Sequence, residues 1–335
     1  MKLVQGDQVP FERGLEHSGG TFHYSRIIEG EPGTIGNFQL SYGKIGGDFF
    51  SPRHRHNFEQ IRYQLEGTLD FDRDGKLAEG MVGYFPEGVA YGPQTQNAGA
   101  DVATIVLQYG GASGSGYLCH DEIKAGTQAL RAEGEFKDGV FRRRADVDGK
   151  RNVDGYQAIW EHVNGRPMQY PKARFDKPVL MNPENFDWVP LEQSAGVAEK
   201  MLGLFTERRS SAAFLRFAPG AKHYAMGRGL WFVLSGTGKA GEHELRRLST
   251  LHLERGERIY IEATSGLEIL HFGLPNLAGL EKRVATMYRK FYTYPSMLAR
   301  LPLPVTQPAI ASWIINLSQR RVALAPDDVE NFDEY

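Results

Sequence analysis

The chain has 335 residues, of which 41% are hydrophobic and 24% charged, with a formal net charge of −2. That composition supports packed cores in about two domains and argues against disorder, and the near-neutral charge argues against nucleic acid as a partner. No stretch approaches the roughly eighteen apolar residues of a membrane span, the N-terminal MKLVQGDQVPFERG lacks a signal-like apolar run, and Cys119 is the single cysteine. The expectation is therefore no membrane partner, no intrachain disulfide and a reducing, cytoplasmic setting.

Along the chain, the first informative run is FSPRHRHNFEQIRYQLEG, residues 50–67. It alternates polar and apolar, as a half-buried strand does. His54 and His56 are two apart and so face one side, and Gln60, Arg62 and Gln64 share a face opposite Ile61, Tyr63 and Leu65. TLDFD then meets the turn RDG, and a second strand ends at PEG, residues 86–88. DVATIVLQYGG, residues 101–111, reads as another strand stopped by two glycines. From Cys119 to about Arg144 the spacing of Ile123, Ala125, Ala129 and Leu130 predicts a helix ending near Gly134. Residues 145–185 read as a long connection. From about residue 196 short strands return in AAFLRFAPG, GLWFVLSGTGKA, STLHLERGERIYIEA and LEILHFGLP. The last sixty residues include YPSMLARLPLPVTQPAIASWIINL, an apolar, proline-punctuated tail.

The two strand-rich halves align on Gly67 and Gly236, which puts His223 on His54, Ala225 on His56 and Gly229 on Gln60; residues 255–263 are laid over 79–87. An internal repeat of two barrels is implied. The expected division is a first barrel at 1–118 carrying the site, a helical linker at 119–190, a degenerate structural barrel at 191–275, and a tail at 276–335 packing on the barrels or on the second subunit of a homodimer.

These residues resemble the cupin superfamily in its two-barrel form. Gly47, His54, His56, Gln60 and Gly67 follow the first cupin motif, with Gln60 in the glutamate position. Gly80, Pro86 and Gly88 follow the second, with Tyr91 in the histidine position. The run HRHNFEQIRYQLEG is also similar to that of gentisate- and hydroxynaphthoate-type ring-cleaving dioxygenases. The resemblance implies an all-β fold of two jelly-roll barrels and a divalent ion, Fe²⁺ first, then Mn²⁺, Zn²⁺ or Ni²⁺. His54 and His56 would hold it, with Gln60 as a third ligand or a partner of bound water. Tyr91 is then a fourth ligand or a proton donor. An inward arginine asks for an anion, so Arg62 is expected to bind and orient a carboxylate-bearing or aromatic small molecule, with Gln64, Gln94 and Gln108 as further contacts. Three activities remain open: a dioxygenase-like oxidoreductase, a Lewis-acid lyase or isomerase, and a metal-free barrel that only binds a ligand.

Overall fold

The computed structural model describes residues 1–14, 21–32, 34, 36–96, 102–111 and 117–277. The tail beyond them, with the dimer contact expected of it, lies outside the described residues.

Alternation of apolar and polar side chains builds two antiparallel seven-stranded sheets. The first runs, edge to edge, Val179–Met181, Val82–Phe85, Glu59–Glu66, Val102–Tyr109, Phe38–Ile45, Phe22–Glu29 and Glu12–Arg13. The second runs Lys2–Gln5, Ser249–Leu253, Gly229–Ser235, Leu267–Gly273, Ser211–Phe217, Val197–Leu204 and Val189–Pro190. Each is closed into a barrel by a smaller sheet. In the first barrel this joins Leu69–Asp70, Lys76–Leu77 and Thr95–Gln96; in the second, Lys222–Met226, Arg258–Ala263, Gly238–Ala240 and His243–Leu245. This is the expected all-β, two-barrel architecture.

The barrels meet back to back. Ile61, Tyr84, Ile105, Leu107 and Leu40 on the outer face of the first sheet join Phe214, Leu230, Phe232, Leu270 and Phe272 of the second in one buried cluster. Each buried phenylalanine there contributes about 1.5–3 kcal/mol of transfer free energy. Tyr63 and Leu65 pack at the edge of the same cluster, so the strand Glu59–Glu66 turns its apolar set outward and its polar set into the barrel.

The sheets exchange strands across the expected boundaries. Lys2–Gln5 pairs with Ser249–Leu253 of the second barrel, and Val179–Met181, from the linker, pairs with Val82–Phe85 of the first. The linker is also more ordered than its composition suggests. Helix α1 spans His120–Leu130, helix α2 spans Gly155–Asn164, and a three-stranded sheet lies between them in sequence. Helix α1 buries His120, Ile123, Gly126, Thr127 and Leu130, leaving Ala125 and Ala129 exposed. With Phe58, Tyr117, Tyr156, Ile159 and Trp160, Ile123 and Leu130 form a separate cluster. Residues of this insert line the mouth of the first barrel.

The repeat is real but its second-half register differs from the expected one. The strand paired to Gly229–Ser235 is Ser249–Leu253, with Gly229 opposite Leu253, just as Gln60 lies opposite Phe85. The turn after Leu253 therefore corresponds to the turn after Phe85, and Gly256 corresponds to Gly88, not to Gly80. Both glycines take a left-handed φ, 85° and 80°. Gly80, which opens the same motif, also takes a left-handed φ, 82°, so strand pairing and not the glycine fixes the register.

Candidate functional site

The interior of the first barrel holds a cavity of about 230 Å³. Its walls include His54, His56, Gln60, Arg62, Gln94 and Gln108, together with Gln39, Ser41, Tyr24 and Thr104. Tyr117, His120, Asp154 and Tyr156 of the linker line it as well.

His54 and His56 are not on a continuous strand. His54 makes an isolated bridge to Tyr91, its amide donating to Tyr91 O at 3.1 Å and the Tyr91 amide returning a bond of 2.9 Å. The Gly88 amide donates to His56 O at 2.7 Å. These bonds aim both rings inward, with their Nε2 atoms 3.1 Å apart. His54 Nδ1 lies 2.6 Å from Pro52 O, an acceptor, so Nδ1 carries the proton and Nε2 is left with a bare lone pair. Burial pushes His54 down to about 4, so the ring is neutral at neutral pH.

Arg62 organises the other side. Its Nε and Nη2 donate to Gln60 Oε1 at 3.1 and 2.7 Å, Nη2 also to Tyr91 Oη at 2.8 Å, and Nη1 to Gln94 Oε1 at 2.9 Å. Four of its five N–H groups are thus taken by neutral acceptors. Its guanidinium lies 4.4 Å over the Phe85 ring. Neither Glu66 nor Glu59 reaches it. Glu59 points away to Arg174 Nη1 at 2.7 Å, and Glu66 is near Arg247 at 3.9 Å. Among the described residues Arg62 makes no ion pair.

Two expected contacts are placed elsewhere. Gln64 does not line the cavity: its amide nitrogen donates to Glu66 O at 2.7 Å and Ala103 O at 3.2 Å. Tyr91 is 1% exposed and sits behind the cavity wall, its hydroxyl 2.9 Å from His56 Nε2 and 3.2 Å from Gln60 Oε1. Burial raises its pKa, so it is a phenol that positions its neighbours.

The sequence singles out Gln60 and Gln108 but not Gln39, Tyr117, Tyr24 or His120, which line the same cavity. Gln39, Gln108 and Gln60 lie directly opposite one another on three adjacent strands, forming a row across the inner face. Tyr117 Oη lies 2.9 Å from Gln108 Oε1 and 3.3 Å from Gln39 Oε1. Tyr24 Oη lies 2.7 Å from His120 Nδ1. The polar-or-small positions Gln39, Ser41 and Gly43, spaced two apart, carried the strand signal; the insert residues carried none.

A divalent ion bonded at about 2.0–2.1 Å to two imidazoles sets their nitrogens about 2.9–3.4 Å apart. The His54–His56 pair fits that separation. The oxygen arm fits less well, because Gln60 Oε1 and Tyr91 Oη both carry the Arg62 cation, and no group of three His, Cys, Asp or Glu side chains suited to a metal occurs among the described residues. Remaining ligands would have to be water or substrate oxygens.

No family model and no curated relative matches the sequence. Solved structures do. A provisionally assigned dioxygenase from Nostoc punctiforme is 10% identical, with 81% of each chain covered and a TM-score of 0.56. A protein provisionally named glyoxylate-induced, from Pseudomonas aeruginosa, is 12% identical over 81% of this chain and 86% of that one, with a TM-score of 0.51. Oxalate decarboxylase from Bacillus subtilis is 12% identical over 82% and 76%, with a TM-score of 0.48. At such identities the likeness carries the fold alone, an all-β double barrel. None of the helices among the described residues is long and apolar enough to cross a membrane.

Proposed function

We propose that this chain is a cupin enzyme whose first barrel takes a small carboxylate-bearing metabolite and works on it beside His54 and His56. One observation supports this above the rest: the buried Arg62 guanidinium borders the same cavity as the histidine pair and has no carboxylate partner among the described residues. A buried cation held only by neutral acceptors leaves a field that an anion relieves. A divalent ion at His54 and His56, Fe²⁺ first and Mn²⁺, Zn²⁺ or Ni²⁺ after it, supplies Lewis acidity or dioxygen chemistry when bound. The chain's own groups do the rest. Arg62 attracts the carboxylate and holds Gln60 and Gln94, Tyr91 keeps His56 in place, and the insert keeps water out. Dioxygenase-like oxidation is the reaction class we favour, acting in the cytoplasm as a homodimer.

A second reading is a metal-free ligand cup. It is favoured by Arg62 already occupying Gln60 Oε1 and Tyr91 Oη. Metal analysis of protein purified without chelator separates the two. About one equivalent, lost in His54→Ala/His56→Ala, is expected. Less than about a tenth of an equivalent after reconstitution, with acid binding retained, establishes the ligand cup instead.

A further inference from the structure

The polar atoms of the first barrel are not evenly divided between donors and acceptors, and Arg62, a group with no choice of role, fixes much of the division. An arginine only donates, so the Gln60 and Gln94 atoms it touches must be the amide oxygens. Their amide nitrogens are turned the other way, and neither has a protein acceptor among the described residues. Gln39 and Gln108 both meet the Tyr117 hydroxyl, which has one proton: the shorter contact takes it to Gln108 Oε1, whose nitrogen lacks a protein acceptor among the described residues, and the Gln39 amide then donates to Tyr117 Oη. All four side chains line the cavity, and Gln39, Gln60 and Gln94 are 6%, 2% and 5% exposed. These glutamines do not bond one another, although three of them stand in one cross-strand row. Gln60 and Gln108 of the row, with Gln94 beside them, therefore present N–H groups to whatever fills the barrel.

The neighbouring positions have the opposite sense. Ser41 Oγ donates to Val106 O at 3.4 Å, and Thr104 Oγ1 donates to Tyr63 O at 3.2 Å. Each hydroxyl has spent its proton on the backbone and keeps lone pairs. Both residues line the cavity. A band of donors thus lies beside two acceptors, in a space below the usual drug-sized range of about 300–1,000 Å³.

We infer that the ligand of the first barrel is a small hydroxylated carboxylic acid: its carboxylate faces the glutamine row, and its hydroxyls donate to Ser41 and Thr104. Arg62 is then a positioning residue more than a carboxylate fork, since three of its N–H groups already set Gln60 and Gln94 and a fourth is taken by Tyr91. This rests on the proposed anion site and narrows its substrate class. A plain monoacid leaves the row and the hydroxyls partly unpaired, and a site built around polar partners rejects such an analogue.

Calorimetric titration with propionate, lactate and glycerate tests it, because these probes share three carbons and carry zero, one and two hydroxyls. Affinity is expected to rise about tenfold or more from propionate to glycerate. Gln108→Met, of similar shape, should weaken glycerate about tenfold while moving propionate about twofold or less, with circular dichroism confirming the fold. Propionate binding as tightly as glycerate overturns the hydroxy-acid assignment and leaves the anion site standing. If none of the three acids binds the wild-type protein, the anion site itself falls, and this inference with it.

Discussion

The two barrels use the same strand scaffold and fill it with opposite chemistry. Where the first has His54 bridged to Tyr91, the second, in the register set by Gly256, has Ala225 opposite Ile259. Where the first sets Gln60 across from Gln108 and Gln39, the second sets Gly229 across from Gly273 and Ser211. The next inward position is Arg62 in one barrel and Trp231 in the other, and Trp231 stacks on His271 at 4.5 Å. A Cβ on Gly229 would meet His271 Nε2 at 2.8 Å, so the glycine makes room for that stack. The interior of the second barrel is an apolar cluster of Trp231, Val233, Leu251, Leu253, Ile261 and Ile269. One copy is filled with apolar side chains; the other keeps a polar cavity, which is costly to bury.

The difference extends one residue before the site. Glu59 is fully buried and paired to Arg174, while its counterpart Arg228 is paired to Glu254 at 3.1 Å. The charges are inverted, and each pair ties its strand to another part of the chain. Arg174 also reaches Glu207 at 2.8 Å, and Arg228 reaches Gly36 O at 2.6 Å.

The largest expected effect comes from making the second barrel resemble the first. Trp231→Arg buries an unpartnered cation in an apolar core and should cost at least about 4 kcal/mol in urea unfolding. The reverse kind of change, Arg62→Met, should alter stability by less than about 2 kcal/mol yet abolish acid binding by calorimetry, because no ion pair is broken. A stability loss as large as that of Trp231→Arg would erase the contrast between the barrels.

Arg174→Met comes next and should cost about 2–3 kcal/mol at pH 8. Burial, then Glu87, pushes Glu59 up to about 7, so it is held above its unfolded value near 4.5. Folded protein then binds more protons than unfolded between those values, and stability falls as pH rises through the window. The variant's loss should therefore be smaller at pH 5, where Glu59 is protonated. In the second barrel the sign reverses. Burial holds His271 down at about 4, so the unfolded chain binds more protons between pH 4 and 6.5, and stability is lost as pH falls. The ring keeps some solvent contact, and a share of about 1–2 kcal/mol is expected, which His271→Phe should remove from the acid limb of a thermal-unfolding series.

The smallest effect is a paired glycine test. Gly88→Ala and Gly256→Ala both force alanine into a left-handed φ, at about 1–2 kcal/mol each. A Cβ on Gly88 would also lie 2.5 Å from Pro171 O, while Gly256 has open space. Gly88→Ala should therefore lower the melting temperature further.

The fold was legible where local pattern decides it. Alternation in residues 59–66 told which side chains face inward, since a pleated strand has no other choice. It did not tell that Arg62 would spend its fork on Gln60, Gln94 and Tyr91, because those partners come from separate strands and turns. The linker was legible only as a helix. Nothing in the spacing of Tyr117, His120, Asp154 and Tyr156 says that an insert folds back over a barrel mouth. The second-half register failed for a related reason: Gly80 and Gly88 share a left-handed backbone, and only the pairing of Gly229 with Leu253 and of Gln60 with Phe85 tells which one Gly256 matches.

The strand Lys2–Gln5 has a consequence for the order of events during synthesis. Gln5 bonds Ser249, which lies 244 positions further along the chain. At about 5–20 residues per second, a ribosome needs roughly 12–50 s to make the partner. For that time the segment waits as an open strand while the first barrel is already complete enough to collapse. Cutting the chain between the barrels would then leave the downstream half with the Ser249–Leu253 edge bare, a ready template for pairing with a neighbouring molecule.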